Sequence, residues 1–150
     1  MPNLEEDLEY NRRYKEVLHI FNVSLKNNKG LETVKSFIKA VVEYYDYAIE
    51  LYFKKLYENK KIDEIPDSPI KRYKKIIEII KDKELEESLK YYKLLKLALN
   101  ADAKITNEYR KNMVIKFRTL SGEEFEINIK MLKDIAESVK KFSTIISKYI

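Results

Sequence analysis

Apolar residues recur every three or four positions along most of the chain, then every second position between residues 113 and 129. The first spacing lines one face of an α-helix and the second lines one face of a β-strand. The pattern therefore predicts helices interrupted by a single hairpin.

Leu4, Leu8, Tyr14, Leu18, Phe21 and Leu25 mark the face of a first helix. Asn3 followed by Glu6 supplies its start, because an Asn side chain accepts from a free first-turn amide and an acid suits the positive end of the dipole. The stretch NNKG ends it, with Gly30 suited to a left-handed cap. A longer helix runs from Glu32 to about Asn59 on Val34, Ile38, Val41, Tyr45, Ala48, Tyr52 and Leu56. KKIDEIPDSPI then reads as a loop, in which Ser68 can cap and Pro69 can begin a third helix bearing Ile70, Tyr73, Ile76, Ile77 and Ile80. After the weak break KDKE, Leu85, Leu89, Tyr92, Leu95 and Leu99 keep the helical period. Ala101, Ala103, Ile105 and Tyr109 extend this fourth helix to roughly residue 109, with an alanine-rich end that another helix could approach closely.

Met113, Ile115 and Phe117 alternate with Lys116 and Arg118, and past Ser121 and Gly122 the residues Phe125, Ile127 and Ile129 alternate with Glu124, Glu126 and Asn128. Period two on both sides of a Ser-Gly pair predicts a hairpin, with Lys116 and Arg118 facing Glu124 and Glu126 across the ladder. Its apolar side needs a helix over it. Its backbone edge either stays free to pair with a second copy or simply belongs to a lid packed on the bundle. Leu132, Ile135, Val139, Phe142, Ile146 and Tyr149 then mark a last helix, capped by Asn128 or begun a residue or two later. The expected fold class is all-α: one domain over residues 1–150, a bundle of about five helices with a small β-hairpin before the last.

Composition sharpens this picture. Gly 2 and Pro 3 leave little to make turns with, so elements should be long. The absence of cysteine excludes a disulfide scaffold and a thiolate zinc site, and predicts a cytoplasmic chain. The start MPNLEEDLEY carries acid where a signal peptide carries base, and nothing approaches the run of about 18 apolar residues that a membrane span requires. No membrane partner is expected. The net charge of +5 suits an anionic partner without requiring one.

Catalytic chemistry has few carriers. His19 is the only histidine, so a metal site built on paired histidines, a Ser-His-Asp triad or a di-iron bundle lacks its parts. Glu5 with Glu6, Glu86 with Glu87 and Glu123 with Glu124 lie among lysines and read as solvated faces. With Gly30 and Gly122 as the only glycines, no glycine-rich loop can cradle a phosphate. The chain is expected to be no enzyme and to hold no cofactor or metal.

Basic residues cluster on both sides of the proline loop. Lys54 and Lys55 close the second helix, and Lys71, Arg72, Lys74 and Lys75 open the third. If these helices are antiparallel neighbours the clusters meet, with Tyr57 and Tyr73 beside them. Phosphates need only cations and bases stack on tyrosine rings, so this patch is the candidate surface for RNA or DNA. A helix dipole and solubility also favour lysines at such a place.

Two stretches carry a family likeness. AVVEYYDYAIELYFKKLYEN resembles the long helix of HEPN domains, and NEYRKNM followed by LKDIAESVKKFSTII is similar to that family's arginine near a helix end and its last helix. These are small helical bundles of prokaryotic toxin–antitoxin and defence systems, usually dimeric. In catalytic members the arginine and a histidine shortly downstream cut RNA. Here Arg110 matches the arginine, while Ile115, Lys116 and Phe117 occupy the histidine's place, so the resemblance implies a noncatalytic domain with Arg110 left to bind phosphate or cap a helix. Twelve tyrosines and six phenylalanines exceed the needs of one modest core. Part of EYYDYAIELYF is therefore expected to face a partner, either a second copy in a homodimer or another protein bound to a scaffold.

Overall fold

The structure is a computed structural model that describes residues 4–150, so the Asn3 start lies outside the described residues. It is mostly helical, with a small antiparallel sheet before the last helix. Helix α1 (Leu4–His19) passes through a π-helical turn (Ile20–Ser24) into the short α2 (Leu25–Asn27). Then come α3 (Leu31–Glu58), α4 (Pro69–Ile80), α5 (Lys83–Ser88) and α6 (Tyr92–Ala98). Strands β1 (Asp102–Thr106), β2 (Val114–Arg118) and β3 (Glu124–Asn128) precede α7 (Ile129–Ile146). No helix among the described residues is long and apolar enough to cross a membrane.

The core is built around α3. Its predicted inward residues Val34, Ile38, Val41, Tyr45, Ala48 and Tyr52 are all buried, but so are Phe37, Val42, Tyr44, Ile49 and Phe53 on its other sides. A helix apolar nearly all round must be covered from several directions, and here α1, α4 and α6 all pack on it. α7 supplies Leu132, Ile135, Val139, Phe142 and Ile146, all fully buried as their spacing predicts, whereas Tyr149, expected on the same face, lies past the helix end and is exposed.

Local signals of the kind expected set several boundaries. Ser68 accepts from the Lys71 amide at 3.3 Å with Pro69 in the first turn, and Asn128 accepts from the Met131 amide at 2.8 Å to start α7. Asp82 caps α5 through the Glu84 and Leu85 amides. Gly30 does not cap a helix end in the left-handed region. Its φ is −89° and it immediately precedes α3, where a Cβ would meet the Tyr109 ring at 2.7 Å and the Asn28 side chain at 2.8 Å. The Glu108 carboxylate accepts from the Leu31 amide at 3.0 Å and so caps α3 from a distant turn. Glu108→Ala is expected to cost about 1–2 kcal/mol, read as a lower urea midpoint at unchanged slope.

The fourth predicted helix is the main correction. It breaks at Leu89–Tyr91 into α5 and α6 and stops at Leu99, and Ala103, Ile105 and Tyr109 are not helical. Residues 102–106 pair instead with β2, Ala103 opposite Phe117 and Ile105 opposite Ile115. The burial there alternates, with Asp102, Lys104 and Thr106 exposed, which is period two carried by small side chains. The hairpin is thus two strands of a three-stranded sheet ordered β1-β2-β3, and the outer edge of β2 that it would have left open is filled by β1. The predicted register across β2 and β3 holds: Lys116 faces Glu126, Arg118 faces Glu124, and Lys116 Nζ lies 3.0 Å from Glu124. Phe117 and Phe125 stack at 5.2 Å.

The tyrosines of α3 serve this chain's own core. Tyr44, Tyr45 and Tyr52 are buried, and only Tyr47 and the later Tyr57 reach the surface. Their hydroxyls find internal partners: Tyr10 with Tyr44 at 2.6 Å, and Tyr45 with the Ser88 carbonyl at 2.8 Å. The opposite error sits on α1. Leu4 and Leu8, expected on its inward face, are 70% and 61% exposed, while Tyr10, Tyr14 and Val17 turn toward α3.

Candidate functional site

The basic residues singled out by sequence do not form one bare cationic surface. Lys54 pairs with Glu6 of α1 at 2.8 Å, which raises its ammonium pKa. Lys71 pairs with Asp67 at 2.9 Å, and Lys75 lies 3.9 Å from Glu78. Arg72 turns inward, half-buried, and donates from Nη1 to the Pro66 carbonyl at 2.8 Å, so it secures the proline loop. Tyr73 stacks on Tyr92 at 4.5 Å, which leaves Tyr57 as the exposed ring of the predicted pair. Lys55, Lys74 and Arg110 make no ion pair among the described residues. Arg110 lies at no helix end; it sits in the turn joining β1 to β2, beside Tyr109, whose φ is 70°.

The chemically densest cluster lies between α3 and α6. Asp46 accepts from the Tyr92 hydroxyl and from Lys96 Nζ, the latter at 2.6 Å, while Lys96 also lies 5.5 Å from the centre of the Tyr92 ring. Burial, then the hydrogen bond to Asp46, pushes the Tyr92 phenol well above the ordinary tyrosine range. Each group here is satisfied by another. The cluster fastens α6 to α3.

A different surface is both basic and concave. The π turn, α2, the β1–β2 turn and the start of α7 enclose a half-open groove of about 680 Å³. Phe21, Leu25, Ile129 and Leu132 supply its apolar floor, and Lys26, Lys29, Lys111 and Lys133 stand around it with Asn22 as the remaining lining group. No carboxylate lines it. Lys29 donates from Nζ to the Lys26 carbonyl at 3.2 Å, and none of the four lysines makes an ion pair among the described residues. Such an arrangement favours a ligand that is apolar where it inserts and anionic where it emerges.

The π turn makes this groove. It adds one residue to the helical path, so α2 turns Leu25 into the core and leaves Lys26 and Lys29 beside the opening. Sequence reading missed the groove because its lysines are scattered over residues 26 to 133. A signal was present in the spacing: Val17, Phe21 and Leu25 are two successive steps of four, each about 40° beyond a full α-turn, a drift an added residue absorbs. No protein-family model, curated protein or solved structure matches this chain.

Proposed function

We propose that this protein is a noncatalytic helical interaction module that acts as a homodimer and holds an acidic, amphipathic partner segment in the lysine-rimmed groove. One observation carries the reading: four lysines from three parts of the chain line a groove with an apolar floor and no acid. A helical segment whose leucines enter the floor and whose carboxylates meet the rim satisfies both halves. The likeness of α3 and α7 to HEPN domains, which are usually dimeric, supports the oligomeric part. Nucleic acid is the second reading, favoured by Lys55, Lys74 and Arg110, exposed or half-buried cations with no carboxylate partner among the described residues.

Fluorescence anisotropy distinguishes the two. A synthetic leucine-and-glutamate helical peptide is expected to bind, more weakly as salt rises, and Lys133→Glu is expected to weaken it at least tenfold. Labelled single-stranded RNA and DNA form the other arm. Retention of nucleic acid alone at low ionic strength would replace the protein partner by phosphate, and retention of neither would end both readings.

A further inference from the structure

The occupant of the groove can be identified from the chain itself. Leu4 and Leu8 lie one turn apart on α1 and are 70% and 61% exposed, so they form an adjacent apolar pair facing solvent. Glu5 and Asp7 beside them are exposed and make no ion pair among the described residues. This is an acidic helical segment with an apolar pair, the counterpart in charge and polarity of the groove. It cannot fill the groove of its own chain. α1 runs from Leu4 to His19 and leads directly into the π turn that forms the groove wall, so helical rise places the two about 24 Å apart.

We infer that the groove takes the Leu4–Leu8 face of α1 from a second copy. Two α1 helices laid antiparallel about a two-fold axis bring each start to the other's π turn, so the same contact forms twice and the assembly closes as a dimer. Leu4 and Leu8 then cover Phe21 and Ile129 of the other copy, and Glu5 and Asp7 approach Lys26 and Lys133. Exposed Val23, in the π turn at 45%, extends the apolar seam. This rests on the groove being a binding surface, as proposed above, and adds who binds it.

The test is sedimentation equilibrium of the full chain over the micromolar range, with two variants whose altered residues are exposed: Leu4→Ser with Leu8→Ser, and Lys26→Glu with Lys133→Glu. Wild type is expected to dimerise, and each variant alone to bind itself at least about 100-fold more weakly. Mixed in equal amounts, the two variants are expected to form a heterodimer tighter than either variant with itself but weaker than wild type, because one of its two contacts joins an intact groove to an intact helix start and the other joins two altered surfaces. High salt should weaken the wild-type dimer. A Leu4/Leu8 variant that dimerises like wild type overturns the inference. A wild-type monomer at every concentration, with the acidic peptide still bound and lost on Lys26→Glu with Lys133→Glu, overturns the second copy and leaves the groove reading intact. Groove substitutions that change neither peptide binding nor self-association defeat both.

Discussion

Phe142→Ala is expected to lower the free energy of unfolding by about 3–5 kcal/mol, read as a shift of the urea midpoint with the slope unchanged. The ring is fully buried on α7 and meets two tyrosines of α3 edge-on, Tyr45 at 5.0 Å and Tyr44 at 5.9 Å between centroids. Such pairs add to the burial of the ring itself. The cost should fall toward the top of the range because the walls of the resulting cavity are tied down. Tyr45 is held by its hydrogen bond to the Ser88 carbonyl, and Tyr44 by its bond to Tyr10, which also reaches Ser143 at 3.1 Å. Walls that cannot collapse leave the void open. Phe142→Leu, which keeps most of the volume, is expected to cost about 1.5 kcal/mol. Equal losses for the two variants would contradict this account.

Raising the pH from 10 to 11 is expected to remove roughly 2 kcal/mol of stability from the wild-type protein, about 1 kcal/mol for each of two tyrosines, because the unfolded phenols are already half ionised at pH 10. Burial pushes the phenols of Tyr44 and Tyr45 far above their ordinary value of 10.0. The folded state therefore keeps two protons that the unfolded chain releases above that value. Below it their contribution is complete and constant; above it stability declines with each further unit. Tyr92, raised by burial and then by Asp46, steepens the fall. Urea midpoints at successive alkaline pH values, followed together with tyrosinate absorbance, provide the measurement. Tyrosinate from these residues appearing while the protein stays folded would refute the assignment.

The helices that carry the core were legible because their apolar residues are large. Val34 through Tyr52 on α3 and Leu132 through Ile146 on α7 leave one periodicity available, and Ser68, Pro69 and Asn128 mark boundaries by chemistry local to the turn. Residues 99–109 misled for the converse reason. Alanines at 101 and 103 alternate weakly and also suit a helix, and what decides between the two is the ladder with β2, a partner about twelve residues further along. The aromatic excess was read as surface because the three-sided burial of α3 cannot be inferred from one helix considered alone. The candidate site was the least visible. Its lysines come from three separate places, residues 26–29, the β1–β2 turn and α7, and neither the spacing rule nor the clustering rule connects them.

The π turn has a consequence for how such a surface tolerates change. Its wider pitch absorbs one residue, so removing a single residue between positions 20 and 24 would restore a regular helix with Leu25 still turned inward and Lys26 still beside the opening. Among descendants of this chain, a one-codon deletion there would recut the wall that Phe21 and Asn22 supply while sparing the bundle and its charges.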